Sequence, residues 1–153
     1  MSYQTPPRDW FDEADPPGLR FKCTLCGNCC TGPEGYVLFT PDEGLAIARR
    51  LNISEEDFRA RYTKQTVLGL SLREEHTPHG LDCVFLDRTR IAGKAVCGIY
   101  EDRPAQCRTW PFWKSVIRSP QTWQNAARNC PGINTGPLAP PQQIRILRDT
   151  VEI

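Results

Sequence analysis

Cysteine is the residue type in this sequence with the most distinctive chemistry and spacing. The eight cysteines are Cys23, Cys26, Cys29, Cys30, Cys83, Cys97, Cys107 and Cys130. The first four follow the pattern C-x-x-C-x-x-C-C, and disulfides that close such short loops constrain the unfolded chain least. Thiolates are soft ligands that suit zinc, copper(I) and iron–sulfur clusters. The spacing therefore favours a metal site over a disulfide framework, which stays open as the alternative.

The number of thiols matches two four-ligand sites, or one larger site with thiols to spare. Structural zinc takes four tetrahedral ligands, and a [4Fe–4S] cluster takes four cysteines. The two-residue gaps match the start of the bacterial ferredoxin motif. The match is partial, because the final Cys-Pro of that motif follows after three residues, whereas Cys130-Pro131 follows Cys29 after a hundred. Adjacent side chains point apart, so we expect Cys29 and Cys30 to serve two neighbouring centres, or one of them to lie outside the ligand set.

We therefore expect the cysteines to bind an iron–sulfur centre, most simply [4Fe–4S]. Zinc is the alternative cofactor. We expect the direct ligands of this centre to be Cys23, Cys26, Cys29 and either Cys107 or Cys130, with Cys30, Cys83 and Cys97 completing a second or larger site. Arg103 and Arg108 flank Cys107 and are candidates to support the ligands, because a nearby cation favours the thiolate and arginine can donate hydrogen bonds to sulfur. The alternative for both arginines is a surface ion pair with Glu101 or Asp102.

The elements that must position these thiols are short. Thr40-Pro41-Asp42-Glu43 is a capping box that predicts a helix to about Leu51, and further helices are expected from residues 54, 119 and 142. Apolar runs at 83–87 and 95–100 predict a β-hairpin with Cys83 and Cys97 on adjacent strands. We therefore predict a small, partly irregular α+β single domain organised around a cysteine-ligated metal centre. Its parts are an extended arm (1–20), a cysteine-cluster domain (21–133), and a linker with a C-terminal helix (134–153).

The charge balance excludes a strongly basic nucleic-acid binder, because 19 Lys and Arg face 18 Asp and Glu for a net charge of +1. The sequence has no apolar run long enough for a membrane helix and no apolar signal segment near Met1, so we expect a cytoplasmic protein without a membrane partner. It has no Gly-rich phosphate loop, G-x-S-x-G or H-E-x-x-H motif. The catalytic residues are thus unknown, and any catalysis would depend on the metal.

Two blocks of the sequence resemble the YkgJ-type cysteine-cluster family, described as zinc- or iron-chelating domains with a CxxCxxCC signature. The first is the cysteine run from Cys23 to Cys30. The second, more specific block runs from Cys97 through Arg103-Pro104 and Cys107-Arg108 to Pro111-Phe112. The resemblance spans residues 21–131 and implies metal binding, without an agreed reaction for small members.

The function expected from these observations is that of a cytoplasmic metal-binding protein with an iron–sulfur centre. Its role would be electron transfer, redox sensing or an oxidoreductase step, with the metal or cluster and a redox protein as partners. Two alternatives stay open. One is a zinc-stapled structural or interaction module without catalysis. The other is a metal chaperone.

Overall fold

The computed structural model describes residues 8–151, and the chain is of the α+β class. Its helices in this range are α1 (Pro41–Leu51), α2 (Glu55–Tyr62), α3 (Ala105–Thr109), α4 (Lys114–Ile117), α5 (Pro120–Ala127) and α6 (Pro141–Arg148). Short 3-10 turns lie at Trp10–Asp12, Asn28–Cys30 and Tyr100–Asp102.

The strands are short and pair two by two. They are β1 (Leu19–Phe21), β2 (Thr63–Thr66), β3 (Gly69–Leu72), β4 (Glu74–Thr77), β5 (Gly80–Cys83), β6 (Leu86–Asp87), β7 (Val96–Cys97) and β8 (Ile133–Ala139). The antiparallel pairs are β1–β8, β2–β3, β4–β5 and β6–β7. The last three are hairpins between neighbours in the chain, so much of the sheet structure is local.

The described residues form two compact units, and the one that runs from Leu25 to Trp110 carries six of the cysteines. Its core is made of buried apolar side chains from the two long helices and from the hairpin segments. They are Ile47, Ala48, Phe58, Leu72, Phe85 and Ile99. Helix α1 begins where the capping box predicts, because the Thr40 backbone N–H donates to Glu43 Oε1 at 2.8 Å and the Glu43 N–H donates to Thr40 Oγ1 at 3.2 Å.

The other unit combines the described residues up to Thr24 with those from Pro111 onward. Strand β1 pairs with β8, and Phe11 and Ile144 are fully buried. The Trp10 indole N–H donates to the Ile117 carbonyl at 2.7 Å, which fixes the 3-10 turn at the start of the described chain. The segment between residues 134 and 141, which its prolines and glycines led us to predict as a linker, is mostly strand β8.

The predicted hairpin near the late cysteines differs in detail. Cys83 ends β5 and faces Glu74 on β4, whereas Cys97 ends β7 and faces Leu86 on β6. The two cysteines are therefore not on adjacent strands. The reason is Phe85, which turns into the core and is 7% exposed, so the apolar run at 83–87 forms two strand ends separated by a turn.

Candidate metal centre

The cysteine loop, residues 25–32, is held at both ends by backbone hydrogen bonds within its unit. At its start, the Ala95 N–H donates to the Leu25 carbonyl at 2.8 Å. At its end, the Leu81 N–H donates to the Gly32 carbonyl at 2.9 Å. The loop that carries Cys26, Cys29 and Cys30 is thus fixed between the segment before β7 and the β4–β5 hairpin.

A sharp turn inside this loop brings two thiols side by side. Gly27 adopts a left-handed φ of 79°, and a side chain there would come within 2.6 Å of the Ala95 Cβ, so only glycine fits. The Cys30 N–H donates back to the Gly27 carbonyl at 2.9 Å, which closes the turn. As a result the sulfurs of Cys29 and Cys30 lie 3.7 Å apart. The expectation that neighbouring side chains point apart is wrong here, because the 3-10 turn folds both toward the same side.

Cys83 and Cys97 each begin a similar turn. In both turns the backbone N–H of the residue two positions after the cysteine lies beside the cysteine sulfur. The hydrogen bond from Phe85 lowers the pKa of Cys83, and that from Ile99 lowers the pKa of Cys97, although burial raises both more strongly. Cys26 accepts a comparable contact at 3.5 Å from the backbone N–H two residues on. Hydrogen bonds to sulfur stabilise the thiolate and tune metal–thiolate centres. These two similar turns were not predicted from the sequence, where their common signal is the pattern Cys-x-apolar at both sites.

Cys107 lies on the short helix α3, which begins directly after Pro104. Arg103 comes just before this helix, and its guanidinium lies over the Tyr100 ring at 3.9 Å while its Nε donates to the Tyr100 carbonyl at 2.8 Å. Held in this way, the positive charge of Arg103 lowers the pKa of Cys29, Cys97 and Cys107, as a minor contribution beside hydrogen bonding and burial.

Arg108 takes a different place from Arg103. Its Nε donates to the Arg103 carbonyl at 2.8 Å, and its Nη2 lies 3.5 Å from Glu43 Oε2. The same Glu43 oxygen accepts the Ala105 N–H at 2.6 Å, at the first residue of α3. Arg108 therefore supports the backbone of Arg103, while Arg103 itself carries the charge that acts on the thiols.

Five thiols of this unit influence one another electrostatically. The hydrogen bond between the adjacent pair lowers the pKa of Cys29 and raises that of Cys30, and burial raises Cys30 further. Burial raises the pKa of Cys83 to about 11 and that of Cys107 to about 12, and neighbouring thiols add to both. Partly buried thiols that lie near one another resist carrying several negative charges at once. A bound metal cation offsets that repulsion, which is why metal binding and thiol deprotonation are linked.

The two remaining cysteines belong to the other unit. Cys23 is exposed just after β1, and Cys130 is 9% exposed just before β8. The backbone there is close, since the Lys22 N–H donates to the Gly132 carbonyl at 3.1 Å. The eight predicted ligands are thus divided between the units, six in one and two in the other.

The donor set of the six-cysteine unit fits a soft metal. Within residues 8–151, no group of three or more His, Cys, Asp or Glu side chains is already arranged to hold a metal ion. The Cys29–Cys30 separation nevertheless matches the roughly 3.8 Å between two sulfurs on one tetrahedral zinc with bonds of about 2.3 Å. Two sulfur donors are therefore already at the separation that one metal ion requires.

Comparison with known families agrees with this chemistry. Residues 22–131 match the CxxCxxCC family, described as a "Putative zinc- or iron-chelating domain". The match covers most of the chain, and the protein belongs to this family. No solved structure matches the chain. No helix in the described residues is long and apolar enough to cross a membrane.

Proposed function

We propose that this protein is a cytoplasmic carrier of an iron–sulfur centre, held by cysteines of the Leu25–Trp110 unit. The observation that carries the proposal is that this one unit contains six of the eight cysteines, three on the cysteine loop and one each on β5, β7 and α3. The six thiols exceed the four that either one structural zinc or one [4Fe–4S] cluster takes, so the unit has donors enough for either. A cluster with its larger volume accommodates donors from more directions.

A redox role follows from what surrounds these sulfurs. The backbone N–H groups of Phe85 and Ile99 and the guanidinium of Arg103 all place positive potential toward the thiols. Such groups favour the more negative, reduced state of a cluster and so raise its potential. We propose electron transfer, redox sensing or an oxidoreductase step as the use of this centre, with a redox protein as partner. Neither a nucleic acid nor a membrane is part of the proposal.

The decisive experiment is anaerobic purification with quantitation of iron, acid-labile sulfide and zinc per chain. We expect a brown protein whose visible absorption bleaches on reduction, and we expect a Cys83→Ser/Cys97→Ser variant to lose most of the iron and sulfide. Arg49→Gln, an exposed change on α1 in the same unit, serves as the control and should keep both. A colourless protein with stoichiometric zinc would overturn the proposal.

The second candidate is a zinc-stapled structural module, and one distance favours it. Sulfurs 3.7 Å apart, as in Cys29 and Cys30, suit a shared mononuclear metal better than a cluster in which each iron takes one cysteine. Cys83 and Cys97 also pack against the apolar core, as expected of a site that supports the fold. A metal chaperone would instead pass its zinc or iron to an acceptor protein, whereas a structural zinc stays bound.

A further inference from the structure

A partly buried ion pair between Asp82 and Arg88 lies beside the thiols. Asp82 lies on β5, directly before Cys83, and is 4% exposed. Its carboxylate accepts two hydrogen bonds from Arg88, from Nε at 2.7 Å and from Nη2 at 3.0 Å. This two-pronged geometry fixes the guanidinium plane as well as its position.

The hairpin that carries Asp82 also holds the end of the cysteine loop. The Leu81 N–H donates to the Gly32 carbonyl at 2.9 Å, and the Thr31 hydroxyl donates to the His79 carbonyl at 3.5 Å. The hydrogen bonds from Arg88 lower the pKa of Asp82 to about 2. Asp82 thus joins the β4–β5 hairpin to the turn after β6, next to the point where the hairpin holds the loop.

The guanidinium faces the cysteine loop from the other side. Its Nη1, which Asp82 does not engage, lies 3.8 Å from where a side chain on Gly27 would begin. Cys30 is near enough to contribute to the raised pKa of Arg88, whose largest cause is Asp82. Arg88 therefore lies between a buried carboxylate and the turn that carries Cys29 and Cys30.

The backbone at Arg88 is fixed as well. The Asp87 carboxylate accepts the backbone N–H groups of Thr89 at 2.8 Å and Arg90 at 3.1 Å, and so forms a tight turn around Arg88. A buried ion pair contributes little net stability compared with apolar packing, because desolvation offsets its attraction. Its geometry is better explained by the need to orient the segments it joins.

We propose that Arg88, held by Asp82, is a positioning residue for the metal centre, which fixes the turn of Cys29 and Cys30 beside Cys83. This inference rests on the proposed binding of a metal by these thiols, and it holds for zinc and for iron alike. It assigns Arg88 to the Cys30 side of the thiols, in addition to Arg103, which acts on Cys29, Cys97 and Cys107.

The test compares the full chain, reduced and metal-free, with three variants. Arg88→Met removes the guanidinium, and Asp82→Asn/Arg88→Met removes both charges so that no unpaired carboxylate stays buried. Arg90→Met, two residues on and exposed, is the matched control. Zn²⁺ affinity is measured by competition with a chromogenic chelator, and Co²⁺ binding is followed through its sulfur-to-metal absorption. Thermal unfolding of the metal-free proteins is recorded in parallel.

We expect Arg88→Met to weaken Zn²⁺ binding about 10- to 100-fold, as for other residues that orient metal ligands, and to reduce the cobalt–thiolate absorption. The double variant should regain thermal stability over Arg88→Met yet keep the weak affinity and the altered cobalt spectrum. Arg90→Met should match the parent chain in all three measurements. Recovery of normal affinity and spectrum in the double variant would overturn the proposal, since Arg88 would then only neutralise Asp82.

If the proposed metal binding is wrong, the parent chain will bind neither Zn²⁺ nor Co²⁺ through its thiols, which is a different result from those above. The role of Arg88 is then decided by peptide-mapped alkylation of the metal-free proteins. Faster labelling of Cys29 and Cys30 in the double variant than in Arg90→Met supports it. Equal labelling counts against it.

Discussion

At the residue scale, the distance between the sulfurs of Cys29 and Cys30 is the feature that best distinguishes a zinc site from an iron–sulfur cluster. Their sulfurs are 3.7 Å apart because the turn closed at Gly27 folds both side chains the same way. One zinc can bind both at that separation. In a cubane each cysteine takes its own iron, so one of the pair would lie outside the ligand set.

The serine variants of this pair therefore test the iron–sulfur proposal. We expect one of Cys29→Ser and Cys30→Ser to lose nearly all iron and sulfide after anaerobic purification, and the other to retain most of both. The measurement is iron and acid-labile sulfide per chain. Equal loss in both variants would instead indicate a metal shared by the two sulfurs.

Arg103 offers a second test at this scale. Its guanidinium lies over Tyr100 and acts on Cys29, Cys97 and Cys107. Removing that charge by Arg103→Gln should lower the reduction potential of a bound cluster, on the order of 60 mV if the reduction equilibrium changes tenfold. Arg103→Lys keeps the charge and should restore much of the potential. A redox titration with no difference between Gln and Lys would exclude a role for the charge.

At the scale of elements, Glu43 links the beginning of α1 to the helix that carries Cys107. One carboxylate oxygen caps α1 through the Thr40 N–H, and the other accepts the Ala105 N–H at the start of α3. Thr40→Ala should cost about 1 kcal/mol of unfolding free energy, the usual effect of losing an N-cap, and leave metal binding unchanged. Glu43→Ala should reduce both stability and metal affinity.

Denaturant unfolding and Zn²⁺ competition distinguish these two effects. The comparison has its control built in, because both variants damage the same capping box but only Glu43 reaches α3. If Glu43→Ala bound zinc as tightly as Thr40→Ala, the link to Cys107 would have no part in the metal centre.

The other unit contains an acidic contact whose effect depends on pH. Arg145 on α6 donates to Asp9 at 3.0 Å and also pairs with Asp12, and the hydrogen bond from Arg145 lowers the pKa of Asp12. A depressed folded-state pKa stabilises the fold above the ordinary pKa of aspartate, and this stabilisation is lost as the pH falls through the folded value.

Asp12→Asn should therefore lower Tm at pH 7, and the difference from the parent chain should shrink below about pH 4. Differential scanning calorimetry across this range measures it. Glu13→Gln, which breaks only the exposed pair with Arg8, should shift Tm little at any pH. A difference for Asp12→Asn that stayed constant down to pH 2 would contradict the ionic origin.

Local signals in the sequence predicted local elements well. Thr40 and Glu43 predicted the beginning of α1, and Ser119-Pro120 predicted α5, because caps act over three residues. Strand β8 was missed because its partner is β1, more than a hundred residues earlier, and no local pattern encodes that pairing. The Asp82–Arg88 pair was missed for a related reason, since nothing in either residue's neighbours marks a buried carboxylate.

At the scale of the whole molecule, the cysteine pattern identified the family and the thiol-rich character of the site. The pattern did not show which cysteines belong to which structural unit. Cys23 and Cys130 lie in a different unit from the other six. The same pattern also left Arg88 out, since its distance from the cysteine loop in sequence conceals their proximity in space.

Metal removal tests the whole molecule. Ligand binding to the folded state adds about 4 kcal/mol at a free metal concentration a thousand times Kd. We expect chelation to lower Tm and to reduce the circular-dichroism signal, because a metal bound by the proposed thiols would tie together the loop, two hairpins and α3. The apolar core around Phe58 should preserve part of the signal. A chelated protein with an unchanged transition would show that the thiols do not support the fold.

The order in which the anchoring segments are synthesised has a consequence for how the protein is made. The cysteine loop leaves the ribosome before the two residues whose amide groups hold its ends, because Leu81 follows Gly32 by about fifty residues and Ala95 follows Leu25 by about seventy. Until then the thiols of the nascent chain are unprotected from oxidants and from competing ions. A centre that uses Cys107 can therefore be completed only after translation has passed that residue, and we expect reductant during synthesis to raise the yield of correctly assembled protein.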